Sequence, residues 1–310
     1  MGKRILALGL NPAWQKSLFF EELHFGEVNR AAEAHAMASG KGINFIRALH
    51  TWGGTEAVVV QPLGGDTGHL IRDSLHEEGL AALSVPVEAA TRTCTTLLCE
   101  KSATATEIIE PSGELFREEV ELLKQTIGAE LDRSDALALC GTYPPGITPD
   151  FYAWAASMAK HAGKPVILDA YKGIHPALEA GIDFLKINRA ELTALTGSAD
   201  IIESLLSLRR KESPAVLAVT DGGEDAFLAD ANGIWMFSIP PVEPFSNPIG
   251  AGDTCTAVLF AEVLHGKSPR EAFAWGLAAA SASCMTSYPA VFSRSDAERI
   301  RKSISVKQIL

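Results

Sequence analysis

Short apolar runs rich in β-branched residues alternate along this chain with stretches of helical spacing. Lys3–Leu10 (KRILALGL) predicts a strand, and so does Glu56–Val60. Asp66–Glu78 carries Leu70, Ile71 and Leu75 on one side and predicts a helix. Ala136–Cys140 predicts a strand, and Asp150–His161 a helix ended by Gly163. Val166–Asp169, Phe184–Ile187 and Val216–Val219 predict three more strands with helical stretches between them, and beyond Gly250 the pattern is almost entirely helical. Strands that alternate with helices form a parallel sheet covered on both faces.

Two stretches break this alternation. Ala13–Ala34 has no helical stripe, and Leu83–Pro111 holds consecutive extended runs (LSVPVE, TTLLCE, TATEIIEP) with no helix between them. Strands without crossovers pair as antiparallel hairpins. The expectation is one domain, residues 1–310, with a small β-sheet lid formed by about 11–34 and 83–113. Such a sheet could close over a site in the main domain.

Composition narrows the class. The chain of 310 residues has 27 Lys+Arg against 38 Asp+Glu, a formal charge of −11. That excludes a broad electrostatic footprint for nucleic acid or an anionic membrane, while leaving room for a local phosphate site. Hydrophobic residues make up 47% and charged residues 21%, so a large core is expected. Mean hydropathy is only +0.11, and no apolar run reaches the roughly 18 residues of a membrane helix. The segment MGKRILALGLNP has no small-residue cleavage site and predicts a first strand better than a signal peptide. Five scattered cysteines with no C-x-x-C argue against a disulfide framework and a structural zinc site, and for a cytoplasmic setting. The eight histidines do not cluster.

Among glycine motifs, Gly266-Lys267-Ser268 matches only the end of a P-loop and follows a helix, so it predicts a helix-ending glycine. No dinucleotide-binding G-x-G-x-x-G stands in the right context. Gly250-Ala251-Gly252-Asp253 differs: it follows a proline-rich extended segment and precedes the strong helical pattern Thr254–His265. Glycines at a helix start let N–H groups point at an anion, and the helix dipole adds to this. Asp253 could simply cap that helix. A phosphoryl-transfer site explains both the glycines and the carboxylate, the N–H groups holding charge and the carboxylate taking a hydroxyl proton.

Five motifs occur in one order: Leu10-Asn-Pro-Ala13, Ser39-Gly-Lys-Gly-Ile-Asn44, Gly141-Thr-Tyr-Pro-Pro-Gly146, Lys186-Ile-Asn-Arg-Ala-Glu191 and Gly250-Ala-Gly-Asp253. With them the chain resembles, over nearly its whole length, the PfkB branch of the ribokinase-like sugar kinases. Within that branch it is most similar to the hexose-phosphate kinases: 1-phosphofructokinase, the minor 6-phosphofructokinase and tagatose-6-phosphate kinase. The resemblance implies an α/β fold with a doubly wound, mostly parallel sheet, helices on both sides and a β-lid. It implies transfer of the γ-phosphoryl group of ATP, with Mg²⁺, to a hydroxyl of a phosphorylated ketohexose. It points to a homodimer through the lid, which would also cover an exposed sheet edge.

Roles carry over residue by residue. Asp253 matches the catalytic base, and Gly250, Ala251 and Gly252 match the anion hole. Asn188 and Glu191 match an N-x-x-E motif that organises Mg²⁺ and phosphates through water. Lys186, Thr220, Gly222 and Gly223 match nucleotide-contacting positions. Gly40, Lys41, Asn44 and Thr142 match sugar-side positions, and Arg30, Arg92 and Lys41 are expected to hold the substrate phosphate. Four positions depart from the family pattern. Gln15 and Asn247 stand where Asp is usual, Ser39 where Gly is usual, and Cys94 where Asn is usual. Gln15 and Cys94 are sugar-side positions, so sugar identity is open. The alternatives are a kinase for an unphosphorylated sugar or a nucleoside, and a catalytically silent nucleotide or sugar-phosphate sensor.

Overall fold

The computed structural model describes residues 2–102, 104–212 and 214–310. Along the chain the strands are β1 (Lys3–Leu8), β2 (Ala13–Phe20), β3 (Glu33–Ser39), β4 (Thr55–Leu63), β5 (Ala81–Pro86), β6 (Thr93–Cys99), β7 (Thr104–Ile109), β8 (Ala136–Cys140), β9 (Val166–Asp169), β10 (Phe184–Asn188), β11 (Val216–Thr220), β12 (Ala226–Asp230), β13 (Gly233–Ser238) and β14 (Ser305–Gln308). The helices are α1 (Lys41–Trp52), α2 (Gly65–Glu77), α3 (Arg117–Leu131), α4 (Asp150–His161), α5 (His175–Glu179), α6 (Arg189–Thr196), α7 (Ile201–Glu212), α8 (Ala251–Leu264), α9 (Pro269–Ser283) and α10 (Arg294–Arg301).

Ten strands form the main sheet in the order β14-β13-β12-β11-β10-β9-β8-β1-β4-β5. From β5 to β11 every pair is parallel, and the β11-β12-β13-β14 end is antiparallel. Alternation along β1 shows why both faces are covered. Ile5 and Ala7 join a core built with Phe45 of α1, Phe260 of α8 and Phe273 of α9. Leu6 and Leu8 join the opposite core with Leu123 of α3, Tyr152 of α4 and Leu205 of α7. A strand buried on both sides reads as a continuous apolar run, as β1 and β8 do.

A second sheet of four strands has the order β3-β2-β6-β7. Its membership corrects the sequence expectation in two places. Leu83–Pro86 lies in β5, which pairs parallel to β4 at the edge of the main sheet. The crossover α2 precedes it and returns the chain beside β4, so LSVPVE and TTLLCE belong to different sheets. β3 runs past residue 34 to Ser39 and delivers the chain into α1. The β2–β6 pair is also parallel, not a hairpin, because two main-sheet strands intervene between them in sequence.

Gly266 has φ +90 just past α8, and Ser268 accepts from Glu271 N at the start of α9, so Gly266-Lys267-Ser268 is a helix end and a helix start. All five cysteines are free thiols. No helix among the described residues is long and apolar enough to cross a membrane.

Candidate active site

The carboxyl ends of the parallel strands open into a crevice, the place where open α/β sheets bind ligands. Two cavities occupy it. The first, of about 330 Å³, lies between the small sheet and the main domain. Gln15, Cys94 and Glu107 reach it from the small sheet and Arg92 from just before β6, while Gly40, Lys41, Asn44, Thr142, Gly250 and Asp253 reach it from the main domain. The second, of about 500 Å³, is lined by Lys186, Asn188, Glu191, Thr220, Gly222 and Gly223, with Ala251 and Gly252. Lys41 and Pro248 line both. The motif residues thus separate by cavity as the sequence ordered them.

Arg30 is the exception. It is exposed on the connection between β2 and β3 and lines neither cavity. That connection runs out into solvent beside Phe25 and Val28, which are 88% and 80% exposed. Within this chain the expected trio of phosphate cations is therefore reduced to Lys41 and Arg92.

The turn between the cavities is built by Gly250. It is the N-cap of α8 at φ 77, in the left-handed region, and a Cβ there would approach Ala290 N and Pro289 Cβ at 3.2 Å. The helix starts at Ala251, three residues earlier than the sequence pattern predicts. Asp253 consequently lies inside the first turn and is not the cap. Its Oδ2 accepts from Asn44 Nδ2 at 2.7 Å. Burial pushes its carboxyl above the ordinary value; the Lys41 ammonium opposes this, the Asp169 carboxylate adds to it, and the Asn44 hydrogen bond opposes it.

Asp169, at the end of β9, is the residue that sequence reasoning missed. It is 2% exposed. Its Oδ1 pairs with Lys41 Nζ, and its Oδ2 lies 3.5 Å from Lys186 Nζ and accepts from Thr256 Oγ1. Burial alone would raise this carboxyl, but Lys186 and Lys41 hold it down at about 2. Burial works against the Lys41 ammonium too, yet Asp169, Asp253 and Glu191 together keep it firmly charged. Asp169 lines neither cavity and acts behind Lys41 and Lys186; the available signal was position, an Asp closing a central parallel strand at the end of the sheet where ligands bind.

Asn188 and Glu191 form a capping box on α6: Glu191 N donates to Asn188 Oδ1 and Asn188 N to Glu191 Oε2, both at 2.8 Å. Among the described residues no group of three or more His, Cys, Asp or Glu could hold a metal ion. Asn247 is 1% exposed. Its Nδ2 donates to Ser287 O at 2.9 Å and its Oδ1 accepts from Ile249 N at 2.9 Å. The departure from Asp thus supplies a donor that a carboxylate lacks, and it ties the loop after α9 to the Gly250 turn. Gln15 donates through Nε2 to Thr96 Oγ1 at 2.9 Å and to Lys16 O at 3.1 Å. Cys255 and Cys284 line the second cavity, and burial pushes their thiols up to about 12 and about 11, so both stay protonated at neutral pH.

Comparison with known proteins decides the family. The model of the pfkB family of carbohydrate kinases matches residues 11–294. The chain belongs to that family. It is 28% identical over 305 residues to the ATP-dependent 6-phosphofructokinase isozyme 2 of Mycobacterium tuberculosis, covering 96% of this chain and 88% of that protein. Among solved structures, phosphofructokinase-2 from Escherichia coli in complex with substrates and products matches at 24% identity with a TM-score of 0.86, over 97% of this chain and 99% of that one. A protein described as a possible 1-phosphofructokinase from Thermotoga maritima matches at 21% identity with a TM-score of 0.90, over 99% of this chain and 100% of that one. These structural likenesses establish the ribokinase-like fold. In this PfkB kinase the Gly250–Asp253 turn and the whole lining of the larger cavity lie inside the matched region.

Proposed function

We propose that this PfkB kinase transfers the γ-phosphoryl group of ATP to a hydroxyl of a phosphorylated ketohexose. The observation that carries the reading is the junction of the two cavities: Lys41 lines both, and the Gly250–Asp253 turn stands between them. Asp253 is the base, and the N–H groups at the start of α8 hold the charge that develops on the phosphoryl oxygens. The nucleotide occupies the larger cavity and the sugar phosphate the one beneath the small sheet.

Arg92 supports a phosphorylated acceptor. Its Nη2 donates to Asn11 O at 3.3 Å, while its buried Nε has no partner among the described residues. A buried guanidinium N–H without an acceptor is costly, and a phosphate oxygen would satisfy it. The donor set of the nucleotide cavity also fits Mg²⁺. Asp169 is consumed by two lysines and Thr256, which leaves Glu191 as the carboxylate facing that cavity. A hard cation that keeps most of its waters needs no more than one carboxylate and the phosphates. When bound, the ion would neutralise phosphate charge during transfer.

The deciding experiment is turnover with MgATP against ketohexoses and their 1- and 6-phosphates. Arg92→Ala is expected to raise KM for the sugar phosphate roughly 10- to 150-fold and to leave KM for ATP nearly unchanged. Equal losses toward phosphorylated and unphosphorylated sugars would remove the phosphate from the reading.

The lid supports a homodimer. Phe25 and Val28 are exposed beside it, and Ile108 and Ile109 of its edge strand β7 are 54% and 56% exposed. Pairing two copies would cover this apolar surface. Sedimentation should give a mass near twice 33.0 kDa, and Ile108→Lys together with Phe25→Glu should return it to the monomer. A monomeric wild type at micromolar concentration would exclude the dimer.

A further inference from the structure

The base is held by an amide, and that amide is itself held. Asn44 presents Nδ2 to Asp253 Oδ2 at 2.7 Å. On its other side Asn44 Oδ1 accepts from Arg47 Nη1 at 3.1 Å and from Ser39 Oγ at 3.3 Å. A guanidinium has only donors and an ionised carboxylate only acceptors. The Asn44 amide therefore has a single satisfied orientation, oxygen toward Arg47 and NH2 toward Asp253. Turned over, it would set donor against donor and acceptor against acceptor.

Arg47 cannot follow such a turn. It is 3% exposed. Its Nη2 donates to Ala38 O at 2.7 Å and to Glu78 Oε1 at 2.9 Å, and its Nε donates to Glu78 Oε2. Arg47 stands three residues after Asn44 on α1, which puts both on one helix face. It lines neither cavity, so any effect on chemistry passes through Asn44. Ser39 explains one of the departures from the family pattern: a glycine there would have no hydroxyl for Asn44 Oδ1.

We propose that Arg47, assisted by Ser39, is a positioning residue for phosphoryl transfer. It locks the Asn44 amide so that its N–H holds one oxygen of Asp253 and leaves the other for the substrate hydroxyl. The proposal rests on Asp253 being the base. The other groups that face Asp253 are Lys41 from α1, Lys186 from β10 and Asp169 from the end of β9, and none of them changes in the variants below.

The test is the pH profile of kcat for Arg47→Lys, which keeps the charge but not the planar fork. Losing an oriented N–H to the carboxylate disfavours its ionised form. The acidic limb should therefore move to higher pH, with kcat reduced roughly tenfold and KM for ATP unchanged. Ser39→Ala removes one of the two donors and should move the limb the same way by less, which keeps the test alive if Arg47→Lys does not fold. In an Asn44→Ala background neither change should move the limb further, because effects through a shared partner do not add. A limb unmoved in both single variants, or moved equally in the Asn44→Ala background, overturns the proposal while leaving Asp253 as base. Near-normal turnover of Asp253→Asn removes the base itself, and the proposal with it.

Discussion

Asp253→Asn is expected to lower kcat by about 10²–10⁴-fold, the usual loss for a general base. Asparagine keeps an oxygen for the Asn44 N–H and loses only the proton acceptor. In phosphoryl transfer the attacking hydroxyl becomes acidic late, so an ordinary carboxylate suffices as base. Stability should hold. The folded-state pKa of Asp253 is raised above 3.8, so at neutral pH its ionised form opposes folding, and a neutral amide should leave the thermal midpoint unchanged or slightly higher. Because the base works only when ionised, activity should fall as pH drops through that raised pKa, and the acidic limb should lie above 3.8. A kcat within a few-fold of wild type on folded Asp253→Asn would eliminate it as base. Since Gly250 and not Asp253 caps α8, a capping role is no longer a competing explanation.

Asp169→Asn is expected to unfold the protein more readily and to disable it. The variant leaves the Lys41 and Lys186 ammoniums without their shared counter-ion, and Lys186 is 3% exposed. Removing one partner from a buried ion network costs roughly 3–5 kcal/mol, which lowers the thermal midpoint on the order of 10 °C for a chain of this size. The pH dependence follows from a carboxyl depressed from 3.8 to about 2. Its stabilisation is fully present above 3.8 and is lost as pH falls through about 2. The gap between wild type and variant should therefore close in strong acid. Adding Lys186→Met to Asp169→Asn should recover part of the midpoint but not the activity. A midpoint for Asp169→Asn equal to wild type would show that the lysines do not depend on it.

Much of this molecule was legible from local pattern. Ala136–Cys140, Asp150–His161 and Val166–Asp169 match their observed elements at both ends. Each is a buried run or an amphipathic stripe whose period is set within one element. The β12–β13 hairpin went unpredicted: its turn is Ala231-Asn232, without the Asn-Gly pair that marks such turns, and Gly233 already opens β13 at φ +141. β14 also lay inside a region predicted as helix. Its residues are exposed, so no burial pattern marked it, and it exists through pairing with β13.

Local pattern alone was enough for the alternation of strands and helices through β11, the two-faced parallel sheet and the glycine turn ahead of Asp253. Each of these is encoded within a few adjacent residues. Only the tertiary structure decided that Leu83–Pro86 joins the main sheet, because extended runs do not carry the identity of their partners. It alone separated Arg92, turned into the cavity, from Arg30, left in solvent. It also singled out Asp169 from 38 acidic residues. Lys41, Lys186 and Thr256 come from three elements far apart in the chain, and what they do to a carboxylate depends on distance and burial. Neither quantity exists until the chain has folded.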